Sequence, residues 1–201
     1  MARLGILLSG RGSNFLAIAA AIASGSLPQA EIAVVISNRA DAAGITRASE
    51  LGIPTRIIES RNRPRTEHDA EMIACLREHA VELVCLAGYM RLVSSEFVNA
   101  FPQRILNIHP SLLPAFAGLH SQRQALEYGV RIAGTTVHFV DEQLDHGVII
   151  VQRTVPVLEG DDEDSLSARI LEQEHSAYPE AIARVLSGKY KIRGRSYVPR
   201  S

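Results

Sequence analysis

The sequence predicts an α/β fold: a doubly wound, mostly parallel sheet with helices on both faces and antiparallel strands near the C-terminal part. Three observations predict it. Short, nearly continuous apolar runs alternate with helical patterns, as expected of strands buried on both faces. The first of these runs ends in a glycine-rich turn that opens a helix. Two β-branched runs late in the chain are joined by a connection short enough for an antiparallel pair.

Taken in order, Leu4–Leu8 is a short apolar strand and Phe15–Ser24 the helix after it. Ile32–Ser37 is a second buried strand, and Asp41–Leu51 a helix closed by Gly52. Pro54–Ile58 holds a short third strand. Thr66–His79 reads as a helix, with Thr66 as its cap and acidic residues in its first turn. Leu83–Ala87 is the next strand, Ser94–Ala100 a short helix, and Ile105–His109 a strand cut off by Pro110. Gln122–Tyr128 forms a further helix. Thr135–Val140 and Val148–Val157 are the antiparallel pair, joined through residues 141–147. Asp164–Leu186 carries a long helical pattern whose acidic start suits the helix dipole. Gly188–Ser201 is basic and reads as a surface tail or small ribbon.

The 201 residues fit one domain, and 46% hydrophobic with 21% charged residues is ordinary for a soluble globular protein. A net charge of −1 gives no electrostatic footprint for a nucleic acid or a membrane surface. No stretch has the length of a membrane span, and the N-terminus lacks a signal-peptide pattern, so the expected location is cytoplasmic. Cys75 and Cys85 have neither zinc-ligand nor disulfide-framework spacing. Cys85 sits in an apolar run and reads as a buried free thiol.

After the first strand comes Ser9-Gly10-Arg11-Gly12-Ser13-Asn14. Its glycines let backbone amides approach an anion at the positive end of the following helix. A dinucleotide fingerprint fails, because Phe15 stands at the third glycine and the second strand ends in Ser37-Asn38 rather than an acidic residue. A Walker loop fails for want of Gly-Lys-Ser/Thr. Two glycines would also serve a plain βα turn, but the side-chain donors of Ser13 and Asn14 tilt the loop toward a monophosphate.

Arg104-Ile105-Leu106-Asn107-Ile108-His109-Pro110 presents two polar groups on one side of a strand, since side chains alternate. Both lie at the carboxyl end, where a parallel sheet takes its ligand. Asp145, in Leu144-Asp145-His146-Gly147, is placed to reach the same edge. Taken singly, each has a plainer reading: a structural histidine, a turn aspartate, a capping asparagine. Together their roles are complementary.

The sequence resembles the phosphoribosylglycinamide formyltransferases, folate-dependent enzymes of purine biosynthesis. The resemblance is carried by the Ser9–Asn14 loop, Leu86-Ala87-Gly88-Tyr89-Met90-Arg91, and Leu106 through Pro114. It continues through Gly118-Leu119-His120, Gly134 to Val140, Leu144 to Gly147, and Gln173-Glu174-His175. It implies a single Rossmann-like formyltransferase domain over residues 1–201, with a phosphate-binding half near 1–100, a folate and catalytic part near 85–190 and the tail 188–201. It implies a glycinamide ribonucleotide whose phosphate sits on Gly12, Ser13 and Asn14, with Glu174 near its ribose. Folate contacts are implied for Arg65, Met90, Arg91, Leu92, Val93 and Asn107, with 10-formyltetrahydrofolate as co-substrate and no metal. Asn107, His109 and Asp145 fall on the catalytic positions.

Formyl transfer passes through a tetrahedral intermediate bearing a negative oxygen. An imidazolium from His109 and the carboxamide of Asn107 suit that oxyanion, and a neighbouring carboxylate from Asp145 favours the protonated imidazole. His120, His138 and His175 read as supporting or packing residues, and His68 and His79 as residues of helix surfaces. Ala115, Ala117 and His146 depart from the commonest pattern. The partners implied are small molecules, and the chain is expected as a monomer or homodimer. A tRNA formyltransferase would carry a further tRNA-binding domain, and a formyltetrahydrofolate deformylase an N-terminal regulatory one. A sugar-amine formyltransferase fits the phosphate loop less well, and a non-catalytic binding module would leave Asn107, His109 and Asp145 as an accident.

Overall fold

Strand β1 (Ala2–Leu8) is buried at every residue from Leu4 onward, so neither of its faces meets water. That environment selects the run Leu4, Ile6, Leu7 and Leu8, broken only by Gly5, and each such side chain removed from solvent stabilises by roughly 1.5–3 kcal/mol. The computed structural model describes residues 1–200, and the chain divides into two compact units, Met1–Asn107 and Ile108–Ser201.

In the first unit, β1 is followed by α1 (Ser13–Ala23), β2 (Ala30–Ser37), α2 (Ala43–Glu50) and β3 (Thr55–Ile57). Then come α3 (Arg65–Glu78), β4 (Leu83–Leu86), α4 (Ser95–Ala100) and β5 (Ile105–His109), whose last two residues belong to the second unit. The strands lie in the order β3-β2-β1-β4-β5 and pair in parallel throughout. The chain winds outward from β1 to β3, then returns to β4 on the other side of β1. Right-handed crossovers therefore put α1 and α2 on one face and α3 and α4 on the other. The switch point falls between β1 and β4, where the loops after both strands meet: Ser9 N–H donates to Gly88 O at 3.0 Å. Phe15, Ile18, Met72, Leu76 and Phe97 close the two faces with fully buried side chains. Cys75 and Cys85 are buried free thiols.

Two local expectations fail at α3. Its N-cap is Pro64, not Thr66, which stands exposed inside the first turn. Proline lacks the N–H that a helix start leaves unsatisfied, so the helix begins at once after it. His68 is not on a helix surface. It is fully buried, because its Nε2 lies 2.8 Å from Ile58 O in the segment after β3.

The second unit continues with α5 (Ser121–Tyr128), β6 (Ile132–Phe139), β7 (Ile149–Pro156) and α6 (Glu163–Leu186). The tail forms a ribbon, β8 (Tyr190–Arg193) and β9 (Ser196–Pro199). The order is β6-β7-β9-β8, with β6 and β7 antiparallel as expected. Helix α6 starts at a capping box between Asp162 and Ser165, and buries Leu166 and Ile170 against Ala133 of β6 and Val155 of β7. The α/β class, parallel first and antiparallel late, stands as the sequence predicts.

Candidate active site

The loop after β1 owes its shape to Gly12. With φ of +75° it caps α1 in the left-handed region, and no side chain caps that helix. A Cβ on Gly12 would sit 2.9 Å from Gly44 Cα, and Gly44 N–H donates to Gly10 O at 3.0 Å. The loop thus rests on the start of α2, backbone against backbone. Ser13 is half-buried and Asn14 buried at the opening of α1. Gly12→Ala is expected to cost about 1–3 kcal/mol, from the positive φ and the contact with Gly44. A urea midpoint equal to the parent's would contradict this.

The segment Met90–Val93 is fixed at both ends. Met90 N–H donates to Ser9 Oγ at 2.8 Å, and Ser9 Oγ–H donates to Asn38 Oδ1 at 2.6 Å. At the far end Ser94 N–H donates to Asp69 Oδ2 at 2.6 Å, while Ser94 Oγ caps α4. Burial alone would raise the Asp69 pKa, but hydrogen bonds from His68 and Ser94 outweigh it and hold it below the ordinary carboxylate value. Arg91 Nη1 donates to Ser60 O at 2.8 Å. On this braced backbone Met90 and Leu92 stand exposed, 71% and 51% respectively, an open apolar surface. Arg65 is the exposed first residue of α3.

In the second unit, His109 is 6% exposed and both its ring nitrogens face oxygen. Nε2 lies 3.0 Å from Phe116 O, and Nδ1 lies 3.4 Å from Asp145 Oδ2. Both oxygens are acceptors, so each ring nitrogen has an oxygen to face when it carries hydrogen. The backbone is pinned as well, since Thr135 Oγ1 donates to His109 O at 3.0 Å. Asp145 has φ of +47°, a left-handed conformation costing about 1 kcal/mol that a short polar side chain tolerates best. Its Oδ2 also accepts Gly118 N–H at 2.8 Å, and its side chain is 7% exposed. Gly147, two residues on, packs its backbone on Phe139 O; a Cβ there would lie 1.7 Å from that oxygen. No other residue fits at 147.

His138 approaches the same carboxylate, with Nε2 3.8 Å from Asp145 Oδ1, while Nδ1–H donates to Phe139 O at 2.7 Å. Burial lowers its pKa below the ordinary 6.5, more than the Phe139 carbonyl and Asp145 raise it. His138 is therefore neutral near pH 7 and brings no positive charge to the Asp145 carboxylate. Burial lowers His175 in the same sense, and its Nε2 is buried without a partner. A depressed histidine has a sign in stability. Below about pH 6.5 the unfolded chain binds protons that the folded chain does not, so stability present above that pH is lost as the pH falls. The slope is up to ~1.4 kcal/mol per pH unit for each such histidine. Urea midpoints at about pH 7.5 and about pH 5.5 should differ less in His138→Gln than in the parent; equal differences would refute the assignment.

Several supporting residues carry no sequence signature. Thr136 Oγ1 donates to Ser111 O at 2.7 Å and accepts Leu113 N–H at 3.1 Å and Gln152 Nε2–H at 3.0 Å, tying the loop after β5 to β6 and β7. The run Gly134-Thr135-Thr136 hints at this only by being polar in a strand buried from Ala133 onward. Gly44 and Asp69 gave no hint. Glu174 is buried on α6, whereas His120 is exposed at the N-cap of α5. Among the described residues no group of three or more His, Cys, Asp or Glu is placed to hold a metal ion, and no helix is long and apolar enough to cross a membrane.

The formyl transferase family matches residues 2–182. Phosphoribosylglycinamide formyltransferase of Escherichia coli is 45% identical over 188 residues, covering 93% of this chain and 88% of its own. Trifunctional purine biosynthetic protein adenosine-3 of Drosophila pseudoobscura pseudoobscura is 49% identical over 92% of this chain, which spans only 14% of that longer protein. Among solved structures, glycinamide ribonucleotide transformylase 1 from Symbiobacterium toebii superimposes with a TM-score of 0.97 at 51% identity, over 100% of this chain and 95% of its own.

Proposed function

The chain belongs to the formyl transferase family, and on that footing we propose that it moves the formyl group of 10-formyltetrahydrofolate to the amine of 5'-phosphoribosylglycinamide. The products are formylglycinamide ribonucleotide and tetrahydrofolate, a step of purine synthesis in the cytoplasm. The observation that carries the reading is His109 held between the Phe116 carbonyl and the Asp145 carboxylate, with an acceptor beside each ring nitrogen.

The neutral acceptor amine attacks the formyl carbon, and the carbonyl oxygen takes up negative charge. His109 as imidazolium and the Asn107 carboxamide N–H stabilise that oxyanion, at an order of 3–4 kcal/mol for each well-placed donor. Substrate takes the place of Phe116 O at Nε2, while Nδ1 stays with Asp145. As the tetrahedral intermediate collapses, the new amide nitrogen sheds one proton and the departing folate nitrogen gains one, so protons balance without a metal. Gly12, Ser13 and Asn14 take the acceptor's phosphate at the start of α1, where no side chain caps the helix, and Glu174 is assigned to its ribose. Met90 and Leu92 offer their exposed apolar side chains to the folate rings, Arg91, Val93 and Asn107 complete its contacts, and Arg65 meets its carboxylate end.

The test is to incubate the protein with 10-formyltetrahydrofolate, with and without the ribonucleotide, and to quantify tetrahydrofolate and formylated product together. Stoichiometric product only with the ribonucleotide is the expected result. Formate released without acceptor would make the protein a deformylase. No turnover by folded protein in either tube would refute the reading.

A further inference from the structure

The loop that carries Asp145 is gripped from outside by the C-terminal ribbon. Arg195, in the turn between β8 and β9, donates from Nη2 to the backbone carbonyl of His146 at 2.5 Å. Its Nη1 lies 3.1 Å from His146 Nε2. On the other side of the ring His146 Nδ1 sits 2.8 Å from Asp141 Oδ2, and Asp141 Oδ1 accepts Gln143 N–H at 3.0 Å. Arg195 Nη1 is also 3.3 Å from His146 Nδ1, so the guanidinium lies close to both ring nitrogens while Asp141 holds the ring at Nδ1. The ribbon is itself anchored: Ser196 pairs with Ile149 of β7, and Tyr197 meets Phe139 edge to face with ring centroids 5.4 Å apart.

Asp145 has a positive φ, and a strained residue persists only where its surroundings over-determine it. Its carboxylate is held from one side by Gly118 N–H. The adjoining peptide needs a hold from the other side, and Arg195 supplies one. We propose that Arg195 is a positioning residue for the reaction, gripping His146 so that the Asp145 carboxylate stays on His109 Nδ1. The proposal rests on the functional reading above. It also gives His146 a role: the ring supplies a second handle for the same guanidinium.

The experiment is Arg195→Ala in the full chain, read by steady-state kinetics and by amide hydrogen exchange. Expected are a kcat lower by about tenfold, both KM values within about twofold of the parent, and a melting temperature close to the parent's, because Arg195 is exposed. The amides of residues 143–148 should exchange about tenfold faster. Arg195→Lys, which keeps a donor for the His146 carbonyl, should recover most of the kcat. In an Asp145→Asn background, Arg195→Ala should lower kcat no further, since both changes act on one group. A purely structural role for Arg195 would lower stability and leave kcat per folded molecule unchanged. Parent-like kcat, or parent-like exchange at 143–148, overturns the proposal. A parent with no formyl transfer to the ribonucleotide defeats the functional reading instead, and the exchange rates still decide whether the grip exists.

Discussion

His109→Ala is expected to lower kcat about a thousandfold, which corresponds to ~4 kcal/mol of lost transition-state stabilisation. The size follows from what the ring does in the proposed reaction: it carries positive charge to a developing oxyanion inside a site that excludes most water. The ring is 6% exposed, so the variant leaves a cavity, and its stability must be measured beside its rate. His109 O keeps its hydrogen bond from Thr135, because that contact is to the backbone, so the end of β5 should hold. Both KM values should move by no more than a few-fold, since the proposed phosphate and folate contacts lie on other residues. A folded variant whose kcat stays within tenfold of the parent would remove His109 from the mechanism.

Asp145→Asn separates charge from geometry. Oδ2 receives both Gly118 N–H, at 2.8 Å, and the His109 Nδ1 side, at 3.4 Å, while Oδ1 faces His138 Nε2. An asparagine with its oxygen in the Oδ2 position keeps the first two contacts and turns its amide NH2 toward His138. Asparagine also tolerates the positive φ. What disappears is the negative charge beside the imidazolium. The expected loss in kcat is about a hundredfold, ~2.7 kcal/mol, with little change in the urea midpoint. Asp145→Ala should lose more, because Gly118 N–H then has no acceptor and the left-handed backbone no polar side chain to favour it. An Asp145→Asn enzyme with parent-like kcat would show that the charge is not used, leaving Asp145 only to orient the ring. Combined with His109→Ala, either aspartate change should add little, as expected for groups acting as one unit.

Much of this was legible in the order of residues. The apolar runs at β1, β2, β4 and β5 mark strands buried on both faces, and Gly12 marks a turn that only glycine enters without strain. The long helix α6 announced itself by periodicity and an acidic start, although its cap, Asp162, lies two residues before the expected first residue. The illegible parts have physical causes. His68 has the composition of a surface residue but is buried, because the segment after β3 supplies a carbonyl that no local pattern reveals. For Gly188–Ser201 the sequence leaves a surface tail and a small ribbon both open, because the cross-strand stack of Tyr190 on Tyr197 at 5.2 Å, which goes with the ribbon of β8 and β9, is not visible in composition.

The sequence by itself determined the fold class, the glycine turn after β1 and the identity of the three polar residues at the strand and loop ends. Each of these follows from short-range rules: alternation along a strand, glycine at positive φ, proline ending a run. Only the tertiary structure decided that Asp145 meets His109 at 3.4 Å across 36 residues of chain, that burial keeps His138 neutral beside them, and that Arg195 reaches back to the same loop. Distances between residues far apart in sequence, and the loss of water around them, are set by packing, and no local pattern of residues encodes either.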